Sequence, residues 1–332
     1  MTRLDEVGEF GLIDLIVRHP SLNDGRVIKG IGDDCAVIDT GGAEATLATV
    51  DTMVEGIHFD LSGCSPEGLG AKLLAVNLSD IAAMGGIAHT ALLTISAAPD
   101  SDATIIERLV GGLKASGARH NVQLAGGDTT STRGPLVLSL TLLGSCPENQ
   151  VVYRSGARVG DFVYVTGTPG DSAAGLQIQS DAGYVSGEDR EYLLRRHHRP
   201  EPRVQTGRRL AEDAVASAMI DVSDGLAADL RHICVASGVD MVIEPQALPA
   251  SESLRAYCQK GGLDPVDAVL EGGEDYELAF TSRSEFASDW SQECRLSYIG
   301  RVVEGNGVVY VGDGDSIRPY EIKGFDHFTK GQ

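Results

Sequence analysis

The sequence predicts a two-domain α/β protein, and three observations support this prediction. The chain has 332 residues, which is long enough for roughly two domains at about 150 residues each. Strand-like and helical patterns interleave on both sides of its middle, as in layered α/β architectures. A segment rich in turn residues, 145–160, separates the two halves. We therefore expect an N-terminal domain over 1–150 and a C-terminal α+β domain over 151–332.

The N-terminal half contains two predicted helices with strand-like segments around them. Residues 66–84 predict a helix with Ser65 as N-cap and Gly85 as a stop signal. A second helix is predicted over 101–116, with Gly117 beyond it. Apolar segments typical of strands lie at 90–96, 122–125 and 136–143.

The C-terminal half repeats this alternation. A strand at 162–167 precedes a turn, TPGDS, and a helix. Another helix is predicted over 224–237, and Gly238 ends it. Further strands are predicted at 240–244, 277–281, 296–303 and 307–311.

Composition restricts the class of partner. The chain is 42% hydrophobic and 23% charged, as expected of a globular protein. It has 27 basic and 48 acidic residues, which give a net charge of −21. Such a surface repels nucleic acid and anionic membranes, so we expect neither as a partner. A small phosphorylated substrate can still bind if metal ions supply positive charge.

Cysteine usage and the N-terminus predict a cytoplasmic, soluble protein. The six cysteines are scattered and form no CxxC pair or zinc-like cluster with the eight histidines. Reduced thiols in the cytoplasm are the simplest interpretation. The N-terminus is acidic and lacks the pattern of a signal peptide. No apolar run approaches the roughly 20 residues of a membrane helix.

Acidic residues next to glycine or serine recur along the chain, several of them directly after a strand-like run. Each could be only a turn or a helix cap, and Asp224 in particular could cap the helix that follows it. Asp80 is harder to explain in this way, because it lies inside a helical pattern on the same face as Asn77. The segments are GIGDDCAV, TVDTMVEGIHF, AVNLSDIAAMGG, LAGGDTT, TGTPGDSAAG, IDVSDG and EGGEDYEL.

Convergence of these aspartates would create a magnesium site. Clustered carboxylates need protons or cations to relieve their repulsion, and Mg²⁺ prefers carboxylates together with substrate phosphates. The chain has no GxxxxGK[ST] loop, no GxGxxG after a strand and no protein-kinase motif set. A nucleotide must therefore be held mainly through metal ions, as expected of a Mg²⁺-dependent, ATP-using phosphotransferase. The aspartates concerned are Asp34, Asp51, Asp80, Asp128, Asp221 and Asp224.

The ordered combination of these motifs, closing with KGFDHF, resembles the thiamine-monophosphate kinase family from about residue 8 to residue 328. That family shares a superfamily with aminoimidazole ribonucleotide synthetase, selenophosphate synthetase and a hydrogenase maturation factor. The resemblance implies an N-terminal sheet that pairs across a homodimer and a C-terminal α+β domain. It also implies phosphorylation of thiamine monophosphate by ATP, giving thiamine diphosphate and ADP, with several Mg²⁺ ions and potassium as an accessory ion.

The resemblance extends to individual residues. Positions matching metal ligands are Asp34, Thr49, Val50, Asp51, Asp80, Asp128, Asp221 and Asp224, of which Val50 can offer only its main-chain carbonyl. Positions matching ATP contacts are Gly127, Asp128, Arg154 and Ser223, and His120 stands where many relatives have a tyrosine near the nucleotide. His58 and Glu274 match substrate contacts. Ile322 replaces a tryptophan of some relatives near the substrate, and Phe325 is the alternative aromatic face. A surface salt bridge between the domains is the structural alternative for Arg154.

The expected mechanism is direct in-line transfer without a general base. The acceptor phosphate is already largely ionised near neutral pH, since its second pKa is about 6. Two alternatives stay open at this point. One is another ATP-using enzyme of the superfamily, against which VDTMVEGIHF and EGGEDYEL argue. The other is a non-catalytic metal- or nucleotide-binding regulator, which degraded metal positions would favour, whereas all six acidic positions are filled.

Overall fold

The computed structural model describes residues 3–19, 25–180, 185–286, 290, 293–322 and 328. The helices are α1 Leu4–Val17, α2 Pro66–Ala83, α3 Ala103–His120, α4 Asp171–Ser180, α5 Glu188–His198, α6 Val204–Glu212, α7 Leu226–Ser237, α8 Glu252–Gly261 and α9 Pro265–Glu271. The strands are β1 Val27–Lys29, β2 Ala36–Ile38, β3 Glu44–Val54, β4 Ile87–Ala97, β5 Gln123–Ser131, β6 Val137–Pro147, β7 Phe162–Thr166, β8 Ala216–Asp221, β9 Asp240–Ile243, β10 Leu278–Ser282, β11 Leu296–Val303, β12 Val309–Val311 and β13 Arg318–Pro319.

The first six strands form one mixed sheet in the order β1-β2-β3-β6-β4-β5. Its long central strands β3 and β6 pair antiparallel from Glu44 opposite Pro147 to Val54 opposite Val137. Alternate residues of these strands pack beneath α2 and α3, whereas Val50 on the other face is exposed. The sheet is therefore covered by helices on one face, and β5 is an edge strand.

Helix α2 confirms the predicted helix, including its cap. The Ser65 Oγ accepts a hydrogen bond from the Gly68 N–H at 3.0 Å, and Pro66 occupies the first turn. Its neighbour α3 comes very close, since a Cβ on Gly112 would lie 2.0 Å from the Glu67 carbonyl oxygen. Glycine at this position therefore permits the helix contact.

Helix α3 is longer than predicted, so the expected end before Gly117 was wrong. Gly117 lies inside the helix, which ends at His120 with Asn121 in the left-handed conformation. The Val122 N–H donates back to the Gly117 carbonyl at 2.8 Å. A Cβ on Gly117 would lie 2.6 Å from the Val122 carbonyl oxygen, so this glycine serves the returning chain and does not stop the helix.

Strand β5 also extends beyond its prediction. We expected a strand over 122–125 with GGDTT at its mouth, but the strand continues through GGDTT to Ser131. Parallel pairing with β4 carries this extension, with Gly127 opposite Leu93 and Asp128 opposite Thr94. Gly127 has φ 151°, and a Cβ there would lie 1.7 Å from the Leu93 carbonyl oxygen. This extension could not be predicted from the sequence, because pairing between backbones leaves no pattern of side chains.

The remaining strands form a seven-stranded sheet in the order β13-β12-β9-β11-β7-β10-β8. Helices α4 to α9 belong to this half, and α7 begins at Leu226 after Gly225 as N-cap. A small apolar cluster joins the two sheet layers, because Ala83 at the end of α2 packs with Met219 and Phe280 of the second sheet. Among the helices of the described residues, none is both long and apolar enough to cross a bilayer.

Candidate functional site

A cavity of about 850 Å³ lies between residues of the two halves of the chain. Residues near the end of β3 and along α2 form one side. The loop after β8 and the segment before β10 form the other. Seven of the residues predicted for the site line it: Asp51, His58, Asp80, Asp221, Ser223, Asp224 and Glu274.

Helix α2 and strand β3 present their functional groups by regular spacing. Leu69, Lys72, Val76 and Asp80 recur every three or four residues and line the cavity. The Thr49 hydroxyl donates a hydrogen bond to Asp80. Asn77, predicted on the same helical face as Asp80, is fully buried and donates to the Leu73 carbonyl at 2.9 Å.

Three carboxylates meet at one end of this site. One oxygen atom from each of Asp34, Asp80 and Asp221 lies within 4.8 Å of the other two. The residues come from the loop before β2, from α2 and from the end of β8. The Oδ2 atom of Asp34 is buried and has no hydrogen-bond partner. An oxygen-only donor set with an orphaned carboxylate oxygen fits a hard cation such as Mg²⁺.

The pKa values of the carboxyl groups in this cluster, and of the neighbouring Asp51, are all raised. Burial raises the pKa of Asp51 to about 6, against the lowering effect of its hydrogen bond with Asp80. Burial and the charges of Asp51 and Asp221 raise the pKa of Asp80 well above its ordinary value. Burial, followed by repulsion from Asp34, raises the pKa of Asp221 to about 8. Without protons or cations, the group would carry a large repulsion.

A second set of possible ligands lies on the entry to α7. Ligand atoms of Asp224, Asp229 and His232 lie within 4.8 Å of one another. The N-cap position of α7 is occupied by Gly225, and Asp224 precedes it. Asp229 accepts a hydrogen bond from the Ser223 N–H at 3.1 Å. Burial lowers the pKa of His232 to about 4, with the charge of Arg154 as the next cause.

Arg154 joins the carboxylate cluster from the segment between the two sheets. Its guanidinium lies 2.6 Å from Asp34, and its backbone N–H donates to the Asp33 carboxylate at 3.0 Å. Burial is the largest single influence on Arg154 and opposes its charge, but the attractions of Asp34, Asp221 and Asp33 together outweigh it, so the pKa of the guanidinium is raised. Arg154 therefore forms an ion pair with Asp34 and at the same time holds a positive charge beside the cluster.

The structure does not bring every predicted residue into the cavity wall. Gly127 and Asp128 are exposed on edge strand β5, and Asp128 does not belong to either cluster of the described residues. His120 is half-buried at the end of α3, and burial is the main cause that lowers its pKa. Ile322 packs against the C-terminal core, and Phe325 lies outside the described residues.

The EGGEDYEL segment is held in a strained, over-determined conformation. Glu274 and Tyr276 have φ values of 59° and 54°, in the left-handed region that non-glycine residues rarely adopt. The Glu274 N–H donates to the Ser223 carbonyl at 2.7 Å, and the Tyr276 N–H to the Val222 carbonyl at 2.9 Å. The loop after β8 therefore fixes the backbone that carries Glu274.

Alternate side chains of the same segment anchor it to the second domain. Asp275 accepts the Gly170 N–H at 2.6 Å and the Ser172 N–H at 3.0 Å. Glu277, fully buried, binds the guanidinium groups of Arg196 at 2.7 Å and of Arg203 at 2.6 Å. We predicted a role only for Glu274 in this segment.

Sequence reasoning also missed Lys72 and His197, which line the cavity beside Glu274. The signal for Lys72 was present, since it lies eight residues before Asp80 on the same helical face. His197 had no such signal, because only the fold brings α5 to this position.

Known proteins share both halves of this architecture. The family model of the AIR synthase related protein N-terminal domain matches residues 32–146, and that of the C-terminal domain matches residues 158–312. The thiamine-monophosphate kinase of Salmonella typhimurium is 41% identical over 97% of this chain and 98% of the relative. The thiamine-monophosphate kinase of Aquifex aeolicus is 38% identical over 98% of this chain and 100% of the relative. The solved structure of AaThiL complexed with AMPPCP and TMP superposes with a TM-score of 0.87 at 36% identity, covering 98% of this chain and 99% of the other. The chain therefore belongs to the thiamine-monophosphate kinase family, which carries the two AIR synthase related domains.

Proposed function

We propose that this protein transfers the γ-phosphoryl group of ATP to the phosphate of thiamine monophosphate, giving thiamine diphosphate and ADP. The convergence of Asp34, Asp80 and Asp221, of which Asp80 and Asp221 line the cavity, is the observation that carries the proposal. Close relatives named thiamine-monophosphate kinase, and a matching structure that holds AMPPCP and TMP, support the same reaction. Both substrates are anions, so an acidic cavity can admit them only together with cations.

Mg²⁺ would be held by Asp34, Asp51, Asp80 and Asp221, with the Thr49 hydroxyl and the Val50 carbonyl as further ligands. Asp128 and Asp224 complete the proposed set of several ions, with potassium as an accessory ion. When bound, Mg²⁺ supplies the positive charge that neutralises the donor and acceptor phosphates. The protein supplies an array of oxygen ligands that burial holds in place before the substrates arrive.

The nucleotide would be held by Gly127, Asp128, Arg154 and Ser223, with His120 near the base. Arg154 can offer a forked guanidinium to phosphate oxygens, a geometry that suits planar two-point contacts. Its ion pair with Asp34 supports this role, because the pair keeps the guanidinium beside the carboxylate cluster. A phosphate group that enters the site would then meet a guanidinium that is already oriented.

Thiamine monophosphate would contact His58 and Glu274, with Ile322 or Phe325 near its rings. The Val54 N–H donates to His58 Nδ1 at 3.0 Å. A neutral imidazole then carries its proton on Nε2, so His58 can donate a hydrogen bond to the substrate. We nominate no general base, because the acceptor phosphate is itself an ionised nucleophile at neutral pH.

We also propose a cytoplasmic homodimer with domain limits at 1–150 and 151–332. The exposed edge of β5 and the exposed side of the first sheet, which carries Val50 and Leu92, support pairing of N-terminal sheets. A dimer would cover these apolar side chains. Sedimentation at several protein concentrations tests the proposed dimer separately from the reaction.

The deciding experiment measures ADP release with Mg²⁺ and ATP, with and without thiamine monophosphate. We expect strong stimulation by thiamine monophosphate, with thiamine diphosphate as the chromatographed product. Mg²⁺-dependent ATP binding without stimulation would contradict the proposed reaction and favour another acceptor or a regulatory role. Omitting Mg²⁺ should abolish turnover, and replacing K⁺ by Na⁺ tests the accessory ion.

A further inference from the structure

Lys72 is a buried ammonium group in the wall of an acidic cavity. Among the described residues that line the cavity, it is the only lysine or arginine, whereas carboxylates recur on every side. Its side chain is 4% exposed, and its Nζ lies 3.2 Å from Oε2 of Glu274. A buried lysine needs a partner to remain charged. Its distance from Glu274 shows which carboxylate provides that partner.

His197 approaches the same carboxylate oxygen from helix α5. Its Nδ1 lies 3.4 Å from Oε2 of Glu274 and 3.2 Å from Oγ of Ser172. Burial and the charge of Lys72 lower the pKa of His197 to about 2, so the ring stays neutral. One oxygen of Glu274 therefore faces an ammonium from the first half of the chain and an imidazole from the second.

The backbone of Glu274 is independently fixed. Its left-handed conformation is held by the hydrogen bond to Ser223, as described above. Such conformations persist where the surroundings over-determine them, commonly at ligand contacts. Main chain and carboxylate are thus held by separate interactions, although the side chain is still 29% exposed to the cavity.

We propose that Lys72 is a positioning residue that sets the affinity for thiamine monophosphate by orienting Glu274. This inference rests on the proposed function. A carboxylate repels the acceptor phosphate, so Glu274 faces the other half of the substrate, the cationic thiazolium with its aminopyrimidine. Lys72 fixes one oxygen of the carboxylate, which leaves the second to meet that cationic half. The nucleotide half of the site is not involved.

A double-mutant cycle tests this coupling. Lys72→Met should raise the KM for thiamine monophosphate about tenfold to a hundredfold, as expected for loss of a hydrogen bond to a charged group. The KM for ATP should change less than about twofold, and direct calorimetric binding of thiamine monophosphate should weaken in parallel. In a Glu274→Gln background, Lys72→Met should raise the KM for thiamine monophosphate by less than about a further threefold, because Lys72 acts through Glu274.

Controls separate this role from a general effect on folding. Lys114→Met removes an exposed lysine from α3 and should change neither KM. Lys72→Arg retains the charge and should recover most of the affinity for thiamine monophosphate. If Lys72→Met does not fold, Lys72→Gln, which keeps a donor but removes the charge, takes its place in the cycle.

Two results would overturn the inference. Fully additive effects of the Lys72 and Glu274 substitutions would show that the lysine acts independently. A change confined to kcat or to the KM for ATP would move Lys72 to the nucleotide half of the site. A wild-type protein without turnover of thiamine monophosphate would refute the proposed function itself, which is a separate outcome.

Discussion

Replacing Asp221 by asparagine should make the metal-free protein less sensitive to alkaline pH. Asp221 is 3% exposed and lies beside Asp34 and Asp80. Burial and the neighbouring charge raise its pKa from 3.8 to about 8. The folded protein therefore keeps a proton that the unfolded protein has already lost between these two pH values.

The sign and size of the effect follow from proton linkage. Because the folded state binds more protons than the unfolded state, stability falls as pH rises from about 4 to about 8. Each pKa unit corresponds to about 1.4 kcal/mol, so the full loss linked to Asp221 is on the order of 5 kcal/mol. Asparagine cannot bind this proton, so the variant loses the part of the pH dependence of stability that comes from residue 221. Asp34 and Asp80, whose pKa values are also raised, still contribute to that pH dependence.

The assay is urea unfolding in the presence of a chelator at pH 6 and pH 8. From pH 6 to pH 8, the free energy of unfolding of the wild type should drop by several kcal/mol. The free energy of unfolding of Asp221→Asn should drop clearly less. Adding Mg²⁺ at pH 8 should restore about 3 kcal/mol to the wild type at a hundredfold excess over Kd and much less to the variant. Asp100→Asn, an exposed aspartate, is the control. Equal pH slopes in wild type and variant would refute the reasoning.

Three further predictions concern single residues. Asp51→Asn should lower turnover at saturating Mg²⁺ and ATP by about a hundredfold or more, because it removes a proposed metal ligand; near-normal turnover would exclude Asp51 as a ligand. His58→Ala should raise the KM for thiamine monophosphate about tenfold in initial-rate measurements, and a shift in the KM for ATP alone would contradict its proposed contact. Arg203→Met should lower the free energy of urea unfolding by about 3 kcal/mol, since it strips a partner from buried Glu277. Arg208→Met, the matched change at an exposed arginine, should lower the free energy of unfolding by less than about 1 kcal/mol. Equal losses in the two variants would argue against a stabilising network around buried Glu277.

Elements with a strong local pattern could be predicted from the sequence. Helix α2 combines a serine cap, a proline in the first turn and a continuous apolar face, and β11 spans the predicted residues 296–303. The ends of α3 and β5 could not be predicted, because each depends on a contact with distant backbone. In β5, the strand continues through GGDTT only because β4 lies alongside it.

The site divides in the same way. The family resemblance could be recognised from the sequence, as could the alternation of strands and helices in both halves. The same holds for the aspartates expected to bind a cation, since all three depend on residue type and order. Which of these aspartates meet depends on the fold, because Asp34, Asp80 and Asp221 converge whereas Asp128 lies on an exposed edge strand. The fold also brought Lys72 and His197 to Glu274 across 202 and 77 positions of the chain. Such contacts depend on how the two sheets pack, and no local pattern of side chains records that packing.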